Sequence, residues 1–276
     1  MNKRMNVEFS RVPASAWAAS LVLASALLSG CGTTPKDDID PNLTPEKLYA
    51  EAKEEAADGN YETAIKRLEK LEGRAAGTVL AQQAELDMAY AYYKTGEKAQ
   101  ALAKLERFMR LHPTSPALDY AYYLQGLINF NDDLGIFGRI SRQDLSERDQ
   151  QAARDAFESF RQLSERFPES QYTPDAKLRM NYIVNSLARY EVHVARYYYR
   201  RGGYLAAANR AQRAVQEFRT SPAIEEALFI MVRSYDKLGL PALRDDALRV
   251  LSTNYPSSPY LDPNYTLADK PWWQLW

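Results

Sequence analysis

Few side chains in this sequence could carry out a reaction. His112 precedes Pro113 at the end of a helical run, His193 lies within another, and neither stands at metal-ligand spacing from a second His or Cys. A glycine-rich phosphate loop, a G-x-S-x-G elbow and an H-E-x-x-H pair are all absent. Carboxylates are plentiful, but they recur at helical spacing opposite Lys and Arg, which is the pattern of a solvated helix face. The expectation is a protein without catalytic residues, metal or cofactor. What remains is one thiol, Cys31, and an excess of tyrosine, 19 against nine phenylalanines.

A single cysteine makes no internal disulfide. Its setting gives it another use. Lys3, Arg4 and Arg11 form a positive leader, Ala14 to Leu28 is an apolar run of about fifteen residues, and Leu28-Ser29-Gly30-Cys31 follows. The run is too short to span a bilayer and suits a signal-peptide core. The ending resembles the bacterial lipobox, which implies cleavage after residue 30 and acylation of Cys31. Buried methylenes contribute about 0.8 kcal/mol each, so several acyl chains anchor durably. In that pattern an Asp after the cysteine retains the protein at the inner membrane; Gly32 implies the outer one. An ordinary secretory signal beside a chance cysteine is the alternative.

The net charge is −1, and losing residues 1–30 removes three basic and one acidic residue to leave −3. There is no basic excess of the kind nucleic-acid binding requires. Residues 31–43 are polar and turn-rich, a tether. Residues 44–262 are rich in helix formers, with apolar side chains at three- and four-residue spacing, so the fold expected is all-α. Four stops recur: "LHPTSP" at 111–116, "RFPES" at 166–170, "EFRTSP" at 217–222 and "NYPSSP" at 254–259. In them a Ser follows the break and is placed to cap the next helix. Centre glycines Gly59 and Gly96 lie 37 residues apart, and Gly202 and Gly239 repeat the motif. The pattern resembles tetratricopeptide repeats, whose period is about 34 residues, and that resemblance implies about five helix pairs stacked as a solenoid. Ala64, Ala101, Ala156 and Ala207 are the close-packing positions. A generic helical bundle is the alternative. Residues 131–150 form an insertion, a spacer or a docking element. Residues 263–276 carry Trp272, Trp273 and Trp276, either a cap on the last helix pair or a hook for a partner.

In tetratricopeptide repeats the first helix of each unit lines the concave face. Counting from the centre glycines puts Glu46, Tyr49, Lys53, Ala56 and Ala57 there in unit one, and Gln83, Leu86, Tyr90, Tyr93 and Lys94 in unit two. Unit three supplies Tyr120, Tyr123, Leu127, Phe130 and Asn131; unit five supplies Glu226, Phe229, Arg233, Asp236 and Lys237. The expected peptide groove is therefore Tyr49, Leu86, Tyr90, Tyr93, Tyr120, Tyr123 and Phe130, rings with polar tips that suit an extended peptide. The competing reading is that half of them fill the core. Unit four holds Arg196, Arg200, Arg201, Arg210 and Arg213, expected either as solvated helix faces or as a basic patch that meets an acidic partner.

The strings "GNYETAIKRLEKLE", "SPALDYAYYLQGL", "SERDQQAARDAFESFRQLSERFPESQYTPDAKLRM" and "VARYYYRRGGYLAAANRAQRAVQEF", together with the lipobox, resemble the BamD family of tetratricopeptide lipoproteins over essentially the whole mature chain. The resemblance implies a lipid-anchored position on the periplasmic face of the outer membrane. It implies unfolded outer-membrane proteins bound by the amino-terminal half. It further implies a BamA-like barrel protein bound by the carboxy-terminal half, with other Bam lipoproteins nearby. The "DKPWWQLW" tail matches no motif of that family. Other anchored tetratricopeptide adaptors, such as a secretin pilotin or a recruiter of cell-wall enzymes, remain alternatives, and a periplasmic hydrolase is a weaker one.

Overall fold

The computed structural model describes residues 42–130, 150–262, 264 and 265. Cys31, the insertion up to residue 149 and the three tail tryptophans lie outside the described residues. Those described from Thr44 onward belong to one compact unit. They form ten α-helices and a closing 3-10 turn, with no strand among them. The helices pair as α1 (Pro45–Ala57) with α2 (Tyr61–Arg74), α3 (Val79–Lys94) with α4 (Lys98–Leu111), and α5 (Leu118–Asn129) with α6 (Gln150–Arg166). Then α7 (Thr173–Arg200) pairs with α8 (Tyr204–Glu217) and α9 (Ile224–Lys237) with α10 (Pro241–Asn254). Each helix packs on its partner and on the next pair, and α1, α3 and α5 also touch in succession. That is five helix pairs stacked in one direction.

The local causes are visible. Thr44 and Thr78 cap α1 and α3 by accepting hydrogen bonds from the backbone N–H of Lys47 (3.4 Å) and Ala81 (3.2 Å). Gly59, Gly96, Gly202 and Gly239 sit at φ between +69° and +85°, the left-handed turn that folds each second helix back on its first. Ala64, Ala101, Ala156 and Ala207 are all fully buried at the crossing points.

Three of the four stop serines act differently from the cap expected. Ser115, Ser170, Ser221 and Ser258 each accept the backbone N–H two residues on, at 3.2–3.3 Å, and their own N–H groups donate back to residues 112, 167, 218 and 255. Ser115, Ser170 and Ser221 fix the turn ahead of the helix rather than the first turn itself, and α5, α7 and α9 start from residues without a side-chain cap. Ser258 is the cap expected, at the start of the closing 3-10 turn Pro259–Leu261.

Two stretches of core run through the stack. Leu105, Phe108, Leu124 and Ile128 hold units two and three, and Phe160, Leu163, Ile183 and Ile230 hold units three to five. Met109 and Phe167 pack against both and join them. Helix α7 has 28 residues, about twice its neighbours, because no Gly or Pro interrupts it after Pro174. It therefore receives α6, α8 and α9 together and ties units three, four and five.

Candidate functional site

The first helices line a groove whose chemistry is set by Asp87, on α3. Its carboxylate accepts the Tyr49 hydroxyl at 2.8 Å, the Lys53 ammonium at 3.4 Å and the Gln83 amide at 3.5 Å. Burial first, and then Asp87, push the Tyr49 hydroxyl well above the usual tyrosine range, so it stays a proton donor. On one side of Asp87 lies a cleft of about 360 Å³ between α1, α2 and α3, with Tyr61 and Tyr90 as its rings and Ala52, Ala56 and Ala57 as its floor. Tyr61 meets Tyr90 edge-on at 6.3 Å, Tyr90 leans on Tyr93 at 6.5 Å, and the Lys94 ammonium stands 6.0 Å over Tyr61. Tyr90 is 37% exposed, the open face of this cleft.

On the other side of Asp87 is a second cleft of about 400 Å³, walled by Gln83, Asp119, Tyr120, Gln171 and Tyr172. Tyr172 stacks on Tyr123 at 4.8 Å and tilts against Tyr120 at 5.5 Å. Tyr123 donates to Asp175 at 2.8 Å, and Arg179 holds the same carboxylate at 2.6 Å. Burial opposes ionisation of Asp175, but the Arg179 and Tyr123 bonds outweigh it and keep it below the usual carboxylate range. Asp119 accepts from the Ser170 hydroxyl at 2.7 Å and from the Tyr120 N–H at 2.7 Å. The Tyr120 hydroxyl is pushed well up by burial and then by the nearby Asp87 charge, a sign of negative potential in this cleft.

Five of the seven residues expected in the groove meet here: Tyr49, Tyr90, Tyr93, Tyr120 and Tyr123. Phe130 is corrected, and Leu86 only in part. Leu86 reaches the wall of the second cleft, yet at 1% exposed it belongs mainly to the core of units two and three, because its side of α3 turns towards α4 and α5. Phe130 caps the end of α5 and turns inward, edge-on to Phe160 and Tyr182 with Arg179 over its ring. Phe229, the unit-five counterpart, is likewise covered, stacked at 5.0 Å by Tyr260 and edge-on to Tyr265. Sequence reasoning missed Tyr61 and Tyr172. A signal existed for Tyr172: it stands two residues after a stop serine, as Tyr260 does after Ser258, and each lays its ring on the sixth residue of the preceding first helix.

The basic cluster is not one patch. Arg196 grips Glu226 with two bonds of 2.7 and 2.6 Å, linking α7 to α9. Arg210 (3.2 Å) and Arg213 (3.8 Å) converge on Glu191, which is only 2% exposed. Arg213 also reaches Glu217, which takes Arg154 from α6. Arg213 is exposed on α8 despite those pairs, and Arg200 and Arg201 stand exposed at the end of α7, with Arg201 over the exposed Tyr197 ring at 5.5 Å.

The histidines hold no reaction centre together. His112 ends α4, and its Nε2 lies 3.7 Å from the buried Glu85; His193 is exposed on α7. Among the described residues no group of three His, Cys, Asp or Glu could hold a metal. No helix among them is long and apolar enough to cross a membrane.

A family model described as YfiO, outer membrane lipoprotein, matches residues 41–251. The chain is 46% identical over 258 residues to a Neisseria meningitidis serogroup A protein named outer membrane protein assembly factor BamD, covering 93% of this chain and 97% of that one. A Vibrio cholerae protein of the same name is 36% identical over 219 residues, 79% of this chain and 90% of the other. Among solved structures, one titled crystal structure of MamA protein aligns over 78% of this chain and 96% of its own at 16% identity, with a TM-score of 0.32. The repeat architecture rests on the five helix pairs seen here and not on that superposition. The extent of both sequence matches, across the tyrosine-lined clefts and the α7–α8 ion pairs alike, makes this chain a member of the BamD family of outer membrane lipoproteins.

Proposed function

We propose that the chain is a non-catalytic lipoprotein of the outer membrane β-barrel assembly machinery, held through Cys31 at the periplasmic face. Its amino-terminal half receives unfolded outer membrane proteins, and its carboxy-terminal half holds the periplasmic part of a BamA-like barrel protein, with other Bam lipoproteins on the same assembly. The observation that carries this reading is the pair of tyrosine-lined clefts flanking Asp87, on a chain whose relatives are named assembly factors. Open clefts walled by rings and hydroxyls suit an extended, partly apolar chain that is to be held and then released.

For the partner side, the exposed end of α7 is the candidate, where Arg201 lies over the exposed Tyr197 ring, whereas Arg196 and Arg210 are half-buried in ion pairs that link the helices. Arg200 and Arg201 project there beside exposed Tyr197 and Leu205, a cationic and apolar edge fitted to an acidic surface with an apolar centre. The test is a detergent-extracted pull-down of the lipidated protein with its partners identified by mass spectrometry. A large barrel protein with periplasmic repeats among the leading partners is the expected result. Pilus or cell-wall components in its place would move the function to another adaptor role.

A further inference from the structure

The two clefts share Asp87 but differ in character, and that difference should read a sequence pattern. The first is floored by alanines and walled by rings, with Lys53 and Lys94 at its rim. The second is polar: two carboxylates, Asp87 and Asp119, and two amides, Gln83 and Gln171, surround the Tyr120–Tyr172 gap. Gln171 and Gln83 are exposed, and beyond the long Gln83 bond to Asp87 a ligand's backbone can reach their amides. Asp87 and Asp119 keep their internal hydrogen bonds, yet among the described residues the only ammonium paired with either in this cleft is Lys53 on Asp87. Among the described residues the second cleft is therefore lined by two acidic side chains and no basic one, whereas the first sets Lys53 and Lys94 beside Asp87.

We propose that the groove binds an extended peptide segment bearing a large aromatic or aliphatic side chain and, two or three residues away, a lysine or arginine. The bulky group fills the Tyr61–Tyr90 cleft, and the cation sits between Asp87 and Asp119. The spacing follows from the helices: the clefts lie on either side of α3, one helix-packing distance of about 8–10 Å apart. An extended chain advances about 3.1–3.4 Å per residue, so that separation corresponds to about three residues, or two with the longer reach of Lys and Arg. This deepens the proposed substrate role and rests on the groove being the substrate site.

Fluorescence-polarisation titration of the intact protein tests it, with dye-labelled twelve-residue peptides carrying one Phe and, three residues on, Lys, Gln or Glu. The Lys peptide should bind about threefold to tenfold tighter than the Glu peptide at low salt, and the gap should close near 0.5 M salt. Gln171→Lys, an exposed change that threatens no packing, should erase or reverse the preference, and Asp119→Asn should narrow it. Equal binding of all three peptides, still weakened by Tyr90→Ala, would overturn the charge reading and leave the groove standing. A fourth peptide with Ala in place of Phe completes the set, and binding unchanged by that replacement and by Tyr90→Ala would overturn both.

Discussion

Two carboxylates sunk between helices show how differently one residue type can be used. Glu191 lies between α7 and α8 with Arg210 and Arg213 on it. Arg210→Glu would thus set a second carboxylate against a buried one, and a loss of partner binding in that variant would report unfolding of the α7–α8 seam. We expect it to cost about 3–5 kcal/mol, read by chemical denaturation. Arg201→Glu, exposed, should leave the unfolding midpoint unchanged and still weaken the barrel partner. Glu85 is the other case: burial, and next the charge of Glu72, raise its carboxyl above the usual range against the pull of Arg107 and His112. A raised folded-state value means that the fold favours the protonated form, so Glu85 disfavours folding increasingly as pH rises through that range. Glu85→Gln should therefore melt at least as high as the parent at pH 8, with the difference shrinking towards pH 4. A large drop in melting temperature at pH 8 would show that the ion pairs dominate instead.

At the scale of the helix, close packing decides where small residues are needed. Gly126 faces Phe160 so tightly that an added Cβ would lie 2.3 Å from its ring, and Phe160 is itself fully buried. Gly126→Ala should destabilise the protein by about 1–3 kcal/mol although alanine favours helix, a contradiction of propensity that thermal melting would reveal. The stop serines belong to the same scale. Ser221, 2% exposed, fixes the turn into α9, and Ser221→Ala should cost about 0.5–1.5 kcal/mol. Helix α7 is the element least like its repeat: Arg196→Ala removes its bidentate hold on Glu226 and should loosen unit five while leaving the distant tyrosine clefts intact, which hydrogen exchange would resolve.

Across the whole molecule, the fold was largely legible because its punctuation is local. Centre glycines, buried alanines and Pro-x-Ser stops each act within a few residues, so their spacing fixed the five pairs before any coordinate. The groove was only partly legible. Tyr49, Tyr90, Tyr93, Tyr120 and Tyr123 could be placed by counting along a helix. Phe130 could not, and Leu86 only in part, because whether a position faces the groove or the next helix depends on how α4 and α6 lean against it. Tyr61 and Tyr172 enter from a second helix and a turn, which the counting ignored. The arginine cluster misled for a similar reason: its carboxylate partners Glu191 and Glu226 lie 19 and 30 residues from Arg210 and Arg196, a distance only folding closes.

The central claim is that unfolded outer membrane protein lies in the tyrosine clefts. Site-specific photo-crosslinking tests it most directly, with a photoreactive phenylalanine at Tyr90 or Tyr120 and, as the control, at exposed Leu248 on α10. We expect newly exported barrel precursor to be captured from Tyr90 and Tyr120 and not from Leu248. Capture from Leu248 alone, or no capture from either cleft in a protein that still joins the assembly, would contradict it.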